Sequence, residues 1–531
     1  MRGVKGKIWL IGWFAIVVPV LSFLGSWVYR VDPFFHYHGP DPEKYFYTLD
    51  NQRSQNDGIS RHFDYDALIS GSSMTENFRT TEADEIFGFR SIKVPYSGGT
   101  YKEVNDNVKR ALEANPKLKT VIRCLEMGKF IDETDALRTD LGKYPSYLYD
   151  NDPFNDVEYL LNRDVLFGRV YPMTVGRDAA DFQPGITSFD EYSRWQEDFT
   201  FGIRSVCPGG IVAVEAEEYA HLTDSDREVI RENIEKNVTD VADEYPEVEF
   251  YYFYSPYSAV TWNYWKKIGT LYKMLEAEEY ITELIVPHEN IRLFSFNTRT
   301  DITTDLNNYK DADHYAGWIN SLILRWMHDG SCRLTPENYR EALQKERDFY
   351  TAFDCESLNG QTDYEADLYA AALLNQELTG TVPKDIVHDA GIGAALGKAE
   401  YFDDADGNRG VICRGTLERE SGAEALEEYL WDQEYVGLRF TVDLDGGYRY
   451  LSFEGQKISD HGRLTVCLYD RYGNLIGKTE KNYTELDGEK HRYVVDLSAA
   501  EGTVTVILHG GYIDDTGSAD SEYRFTDIKL Y

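Results

Sequence analysis

Cysteine is scarce in this chain. The 531 residues hold six, Cys124, Cys207, Cys332, Cys355, Cys413 and Cys467, and none forms a C-x-x-C pair. That spacing excludes a thioredoxin-like dithiol and the common zinc frameworks. Cys332 and Cys355 are the nearest pair, and either a bridge between them or buried free thiols fits an exported chain. Positive charge is also short: 54 Lys plus Arg stand against 92 Asp plus Glu, a formal charge of -38. Polyphosphates repel such a chain over a Debye length of about 8–10 Å, which excludes nucleic acid or anionic lipid as the main partner. No repeat of solenoid period is present, and no cofactor is expected.

What is present implies two or three folded domains, because 531 residues exceed one ordinary core and 42% of them are hydrophobic. The first thirty residues stand apart. Arg2, Lys5 and Lys7 precede an apolar run over residues 8 to 29. About 22 helical residues span roughly 33 Å, enough for a bilayer core. The positive flank places the N-terminus in the cytoplasm, and Trp9, Trp13, Trp27 and Tyr29 suit the interfaces. The run is long for a cleaved signal and lacks an A-x-A-like site, so an anchor is expected over residues 1–30, with everything beyond it extracytoplasmic.

A β/α rhythm follows. Strands are expected at 67–70, in "SIKVPYSGG", in "LKTVIRCLEM", in "VEFYYFYSP" and in "NIRLFSF". Thr100 with Glu103 reads as a capping box, as does Ser225 with Glu228. One helix is expected from Trp262 to Leu284, and another after "NNYKDADHYAGW". Strands alternating with helices imply a mostly parallel sheet covered on both faces, with ligands at the carboxyl ends of the strands. Residues 140–215 interrupt the rhythm and read as an insertion, a lid or a substrate wall. Residues 331–410 read as a connector. From 411 to 531, short strands separated by turns such as Asp445-Gly446 imply a β-sandwich, with a possible role in carbohydrate binding. Residues 403–408, "DDADGN", have calcium-loop composition without EF-hand spacing; no metal site is assigned.

The chemistry centres on "ALISGSSMTENF", residues 67–78. A buried strand ending in Gly71, Ser72 and Ser73 reads either as a capped turn or as a nucleophile at the mouth of a sheet. "DADH", residues 311–314, supplies the missing partners. Asp311, three residues before His314, can hold the imidazole in the tautomer that accepts a hydroxyl proton. Ser73, His314 and Asp311 then form a complete acyl-transfer set.

This arrangement resembles the SGNH/GDSL hydrolase superfamily over about residues 60–328. "GSSM" at 71–74 sits where that family has Gly-Asp-Ser-Leu, which implies Ser73 as the nucleophile. Gly98 and Gly99 sit at its second block, which implies an oxyanion-hole amide beside that of Ser73. The resemblance implies a flavodoxin-like three-layer α/β domain over 31–330. The serine pair behind a membrane helix resembles the anchored branch that includes D-alanyl transfer proteins of teichoic acids and alginate-type O-acetyltransferases. It implies a cell-surface glycan substrate and a membrane-bound O-acyltransferase partner. One position departs from the family: after the third strand "EMGKF", 126–130, replaces Gly-x-Asn-Asp. Asn77, Asn107 and Asn155 are the candidate substitutes, with Asn77 preferred. Two rival readings remain open, a non-catalytic glycan-binding or assembly protein and D-alanyl transfer to teichoic acid.

Overall fold

A computed structural model describes residues 2–531 except 141–142, 179–181, 197–198, 362–365, 380, 390–391, 397, 404–408, 419–436, 459–463, 474, 482–489, 499 and 510–517. The calcium-loop composition at 403–408 therefore falls almost wholly outside the described residues. The chain divides into two units. The first comprises Met1–Thr200, Ile211–Thr304 and Asp311–Glu356; the second comprises Phe201–Gly210, Asp305–Lys310 and Ser357–Tyr531.

The first unit opens with helix α1, Arg2–Val31. Its stretch Trp9–Val31 is long and apolar enough to cross a bilayer. Then follow α2 (Gln52–His62), β1 (Ala67–Gly71), α3 (Thr80–Phe87), β2 (Ser91–Pro95), α4 (Tyr101–Ala114) and β3 (Thr120–Leu125). After the insertion come α5 (Asp224–Ile234), β4 (Glu249–Tyr254), α6 (Ala259–Lys267), α7 (Leu271–Ile285), β5 (Ile291–Ser295), α8 (Gly317–Asp329), β6 (Arg333–Leu334) and α9 (Tyr339–Ala352). The sheet order is β2-β1-β3-β4-β5-β6, parallel throughout except for β6, which runs antiparallel to β5. Every residue of β1 and β2 is buried. Side chains alternate between faces along a strand, so both faces of the sheet are covered. The strand order reverses at β1. The crevice beyond the carboxyl ends of β1 and β3 is therefore the switch point where ligands of such sheets bind.

Local chemistry sets the element ends. Thr100 and Glu103 form the expected capping box of α4. The box of α5 is made by Thr223 and Asp226 rather than Ser225 and Glu228, because Thr223 is the residue whose backbone is extended. The helix expected through Trp262–Leu284 is broken into α6 and α7. Gly269, at φ +76°, makes the break, and a Cβ there would lie 2.5 Å from the Glu218 carbonyl oxygen. All six cysteines are free thiols, Cys332 and Cys355 included.

Glu278 of α7 and Glu346 of α9 meet in the interior, where the Ser295 hydroxyl lies within hydrogen-bond distance of both, 3.2 and 3.3 Å away, and can donate to either. Burial pushes both carboxyls up from the ordinary range, and their mutual repulsion pushes Glu346 further. A raised native carboxyl contributes stability that is full below the unfolded value and is lost as pH rises through the native one. Glu346→Gln is therefore expected to show a higher urea midpoint than the wild type at pH 8. The gain should vanish near pH 4.5, the ordinary value for glutamate.

Among the described residues, the second unit holds two antiparallel sheets. Its strands are β7 (Lys384–Asp385), β8 (Gly393–Leu396), β9 (Lys398–Asp403), β10 (Arg409–Glu418), β11 (Gly437–Asp443), β12 (Tyr450–Lys457), β13 (Leu464–Tyr469), β14 (Leu475–Lys481), β15 (Lys490–Asp496), β16 (Thr503–His509) and β17 (Ser518–Leu530). One sheet runs β8-β11-β16-β13-β14, the other β9-β10-β17-β12-β15 with β7 on β17. Alternate residues such as Leu438, Phe440 and Val442, or Val504, Val506 and Leu508, enter one core with Phe453, Tyr493 and Phe525. That period-two burial is consistent with a β-sandwich. The stretch 331–410 is divided between the units: β6 and α9 extend the first, and β7 to β9 pair within the second.

Candidate functional site

The carboxyl end of β1 turns on Gly71. Its φ is +148°, and a Cβ would lie 2.7 Å from Thr75 Cγ2 and 3.0 Å from Cys124 Cβ. Ser72 is then extended, and its hydroxyl accepts the Met74 amide at 3.4 Å, which caps a single 3₁₀ turn over Ser73–Thr75. The two serines of the motif are placed differently. Ser72 caps, and Ser73, half-buried, opens the turn. Gly71→Ala is expected to cost about 2–4 kcal/mol through backbone strain and overpacking, read as a lowered urea midpoint.

The turn is tied to the chain 240 residues away. Met74 O accepts from the Tyr315 hydroxyl at 3.2 Å and from Asn320 Nδ2 at 3.0 Å. On the other side, buried Lys93 of β2 donates to the carbonyls of Glu76 and, at 2.9 Å, Phe78. Burial pushes that ammonium down to about 7. These ties hold Ser73 Oγ 2.9 Å from His314 Nε2. His314 Nδ1 lies 2.9 and 3.0 Å from the two carboxylate oxygens of Asp311. Asp311 Oδ1 also accepts the backbone amides of His314 and Asp313, at 2.9 and 3.0 Å. Burial pushes the Asp311 carboxyl up, but the His314 side chain and the two amides outweigh it, so its pKa lies below the ordinary value. Asp313 turns elsewhere and accepts from Thr261 Oγ1 at 2.6 Å. An imidazole bonded to a hydroxyl on one nitrogen and a carboxylate on the other can relay a proton from that hydroxyl.

Residues of the 140–215 segment reach His314 and Asn77. The Trp195 ring stands edge-on to His314 with centroids 6.0 Å apart. Its backbone amide donates to Asn77 Oδ1 at 3.1 Å, and Gln196 accepts the Gly317 amide. Asn77 is buried, and among the described residues its Nδ2 has no partner. Of the other asparagines, Asn107 accepts from Ser60 and Asn155 Nδ2 donates to Asp150. The second-block glycines differ from each other. The Gly99 amide is spent on Tyr96 O at 2.6 Å in a tight turn. Among the described residues, the amides of Ser73 and Gly98 donate to no protein group.

Glu126, at the end of β3, is the site residue that sequence reasoning passed over. Its Oε2 accepts from the Tyr257 hydroxyl at 3.3 Å. Burial raises its pKa, against the lowering influence of the Ser72 hydroxyl, Lys129, His314 and Tyr257. The signal was the position itself, a carboxyl where a neutral amide was expected at the switch point. Arg53 and Arg61 pair with Glu103 and Asp57 at 2.9 and 3.3 Å. Tyr252, Phe253 and Tyr254 of β4 are core, and Trp262 stacks on Tyr350 at 4.1 Å. A cleft of about 580 Å³ lined by Thr298, Cys332, Glu341 and Phe349 shares no residue with this site.

No family model and no curated protein matches the chain. Among solved structures it is weakly similar to a chain from Streptococcus pneumonia described as a candidate platelet activating factor. That match has 11% identity, 53% of this chain, 91% of that chain and a TM-score of 0.29. A CBM4 structure matches at 14% identity over 29% of this chain and 95% of that one, TM-score 0.18. The family 11 carbohydrate-binding module of a Clostridium thermocellum cellulase matches at 11% identity over 28% and 94%, TM-score 0.19.

Proposed function

We propose that the chain is a membrane-anchored, extracytoplasmic serine O-acyltransferase or esterase of SGNH/GDSL type, acting on cell-surface polysaccharide. In this reading residues 31–330 form a flavodoxin-like catalytic domain, and the sandwich over 411–531 holds glycan. The observation that carries it is the continuous hydrogen-bonded series Ser73 Oγ, His314, Asp311.

Ser73 Oγ attacks the acyl carbonyl carbon, and its proton passes to His314 Nε2. Asp311 steadies the imidazolium from the Nδ1 side. The Ser73 and Gly98 amides, with Asn77 Nδ2, are the donors left for the tetrahedral oxyanion; each such donor is typically worth about 10²–10³ in rate. The leaving group departs with the proton from Nε2, which leaves an acyl ester on Ser73. A sugar hydroxyl, or water, then attacks that ester, gives its proton to His314, and Ser73 Oγ recovers it on release. An anchored enzyme is suited to acyl groups exported by a membrane-bound O-acyltransferase partner. D-alanyl transfer to teichoic acid would use the same serine, but a chain of charge -38 is a poor match for a polyphosphate acceptor.

A fluorophosphonate probe tests the reading, since it labels only an activated hydroxyl. The full chain is expected to label at Ser73, and Ser73→Ala and His314→Ala to lose the label. An unlabelled wild type would favour the non-catalytic glycan-binding reading, which draws on the missing asparagine after β3.

A further inference from the structure

The insertion packs along the outer half of the apolar helix α1, at a depth that a bilayer around α1 would reach. Leu160 Cβ lies 3.7 Å from where a Gly25 Cβ would stand. The Trp27 indole donates to Thr174 Oγ1 at 3.1 Å, and its ring lies 6.4 Å from that of Tyr171. A cleft of about 750 Å³ between the two is lined by Leu21, Gly25, Tyr29, Val157 and Leu161. At 1.5 Å per residue, Gly25 is about 9 Å and Leu21 about 15 Å along α1 from its end at Val31. A hydrocarbon core is about 30 Å thick, so a span ending near Val31 puts these contacts within one leaflet.

The insertion is dressed for that environment. The helical stretch 163–175 buries Val165, Leu166 and Val170. Its opposite stripe is apolar too: Phe167, Tyr171 and Val175 are 61%, 50% and 46% exposed, and nearby Phe154 is 88% exposed. A surface helix apolar all round does not suit water. Its central charge is turned inward: Arg169 pairs with Asp50 at 2.7 Å and lies over Phe34. Exposed Arg163, Asp164 and Arg177 stand at the two ends of the stretch, where polar tips can reach headgroups.

We infer that Phe154, Phe167, Tyr171 and Val175 form a lipid-facing surface that seats the insertion in the leaflet around the outer half of α1. The occupant is membrane lipid. The drive is apolar burial, which is independent of the net negative charge of the chain.

The test is photocrosslinking of the full chain in phosphatidylcholine nanodiscs. A photoreactive phenylalanine analogue replaces, one at a time, Phe154, Phe167, Tyr264 and Ile16. Tyr264, 55% exposed on α6, is the water-facing control, and Ile16, 68% exposed, reports α1 itself. Lipid adducts at 154 and 167 several-fold above those at 264, and comparable with those at 16, are expected. Adducts at 16 with none above control at 154 and 167 would overturn the inference while leaving the anchor in place. Adducts to a second copy of the chain instead of lipid would also overturn it. No lipid adduct at 16 would remove the anchor reading and the inference together. Fluorophosphonate labelling of Ser73 does not enter this readout, so the fate of the proposed activity is read separately.

Discussion

Ser73→Ala should lower turnover of an activated ester about a millionfold, to the background left by binding and oxyanion donors. The size follows from the chemistry. Without Oγ there is no bond to carry the acyl group, and His314 Nε2, 2.9 Å away, has no hydroxyl to deprotonate. The fold should be indifferent. Ser73 is half-buried, its hydroxyl is bonded to His314, and the turn is capped by Ser72. Urea unfolding should therefore match the wild type within about 0.5 kcal/mol, as for surface changes away from structural features. Ser72→Ala is the informative contrast. It removes the cap, which typically costs about 1 kcal/mol, yet leaves the nucleophile in place. A loss of activity on Ser72→Ala equal to that on Ser73→Ala would mean that the two serines have been assigned the wrong way round.

Asp311→Asn should cost about 10⁴-fold in kcat while the chain stays folded. Asp311 accepts the Nδ1 proton with both oxygens and two backbone amides besides, which sets imidazole orientation and loop shape together. Asparagine keeps an acceptor for the amides. Its NH₂, however, faces an imidazole nitrogen and favours the tautomer with the proton on Nε2, where it can no longer take the serine proton. Asp313→Asn is the control. Asp313 accepts from Thr261, so its replacement should change kcat by less than about tenfold if Asp311 is the acid of the set. Comparable losses at both positions would argue for a structural effect on the loop rather than a relay.

The sequence made the sheet legible because its strands are short, largely buried runs, most of them ended by Gly, Ser or Pro, that alternate with helices such as α4, whose capping box Thr100 and Glu103 announce. Ser73, Asp311 and His314 were legible for a related reason. Each lies in a short polar cluster that interrupts buried structure, and Asp311 and His314 are local to one another. The unread parts depend on distant neighbours. The break at Gly269 is imposed by the Glu218 carbonyl, 51 residues away in sequence. Glu126 is marked in the sequence only by its place after the third strand; its burial and the proximity of Tyr257 and Ser72 are set by distant parts of the chain. Gly98 and Gly99 were equivalent on paper, and the turn back to Tyr96 O separates them. Residues 331–410 read as a connector because α9 is amphipathic and charged outside, while its buried Glu346 pairs with Glu278 in the interior. The apolar stripe of the insertion was hidden among short elements whose burial depends on α1.

The most direct measurement is capture of the acyl-enzyme. The full chain in detergent is mixed with p-nitrophenyl acetate in the absence of a sugar acceptor, quenched in acid and mapped by peptide mass spectrometry. One acetyl ester at Ser73 is expected, formed in a burst of one p-nitrophenolate per chain and absent from His314→Ala. A folded chain that releases no burst and carries no acetyl group at Ser73 would contradict a nucleophilic role for that serine, and the proposed activity with it.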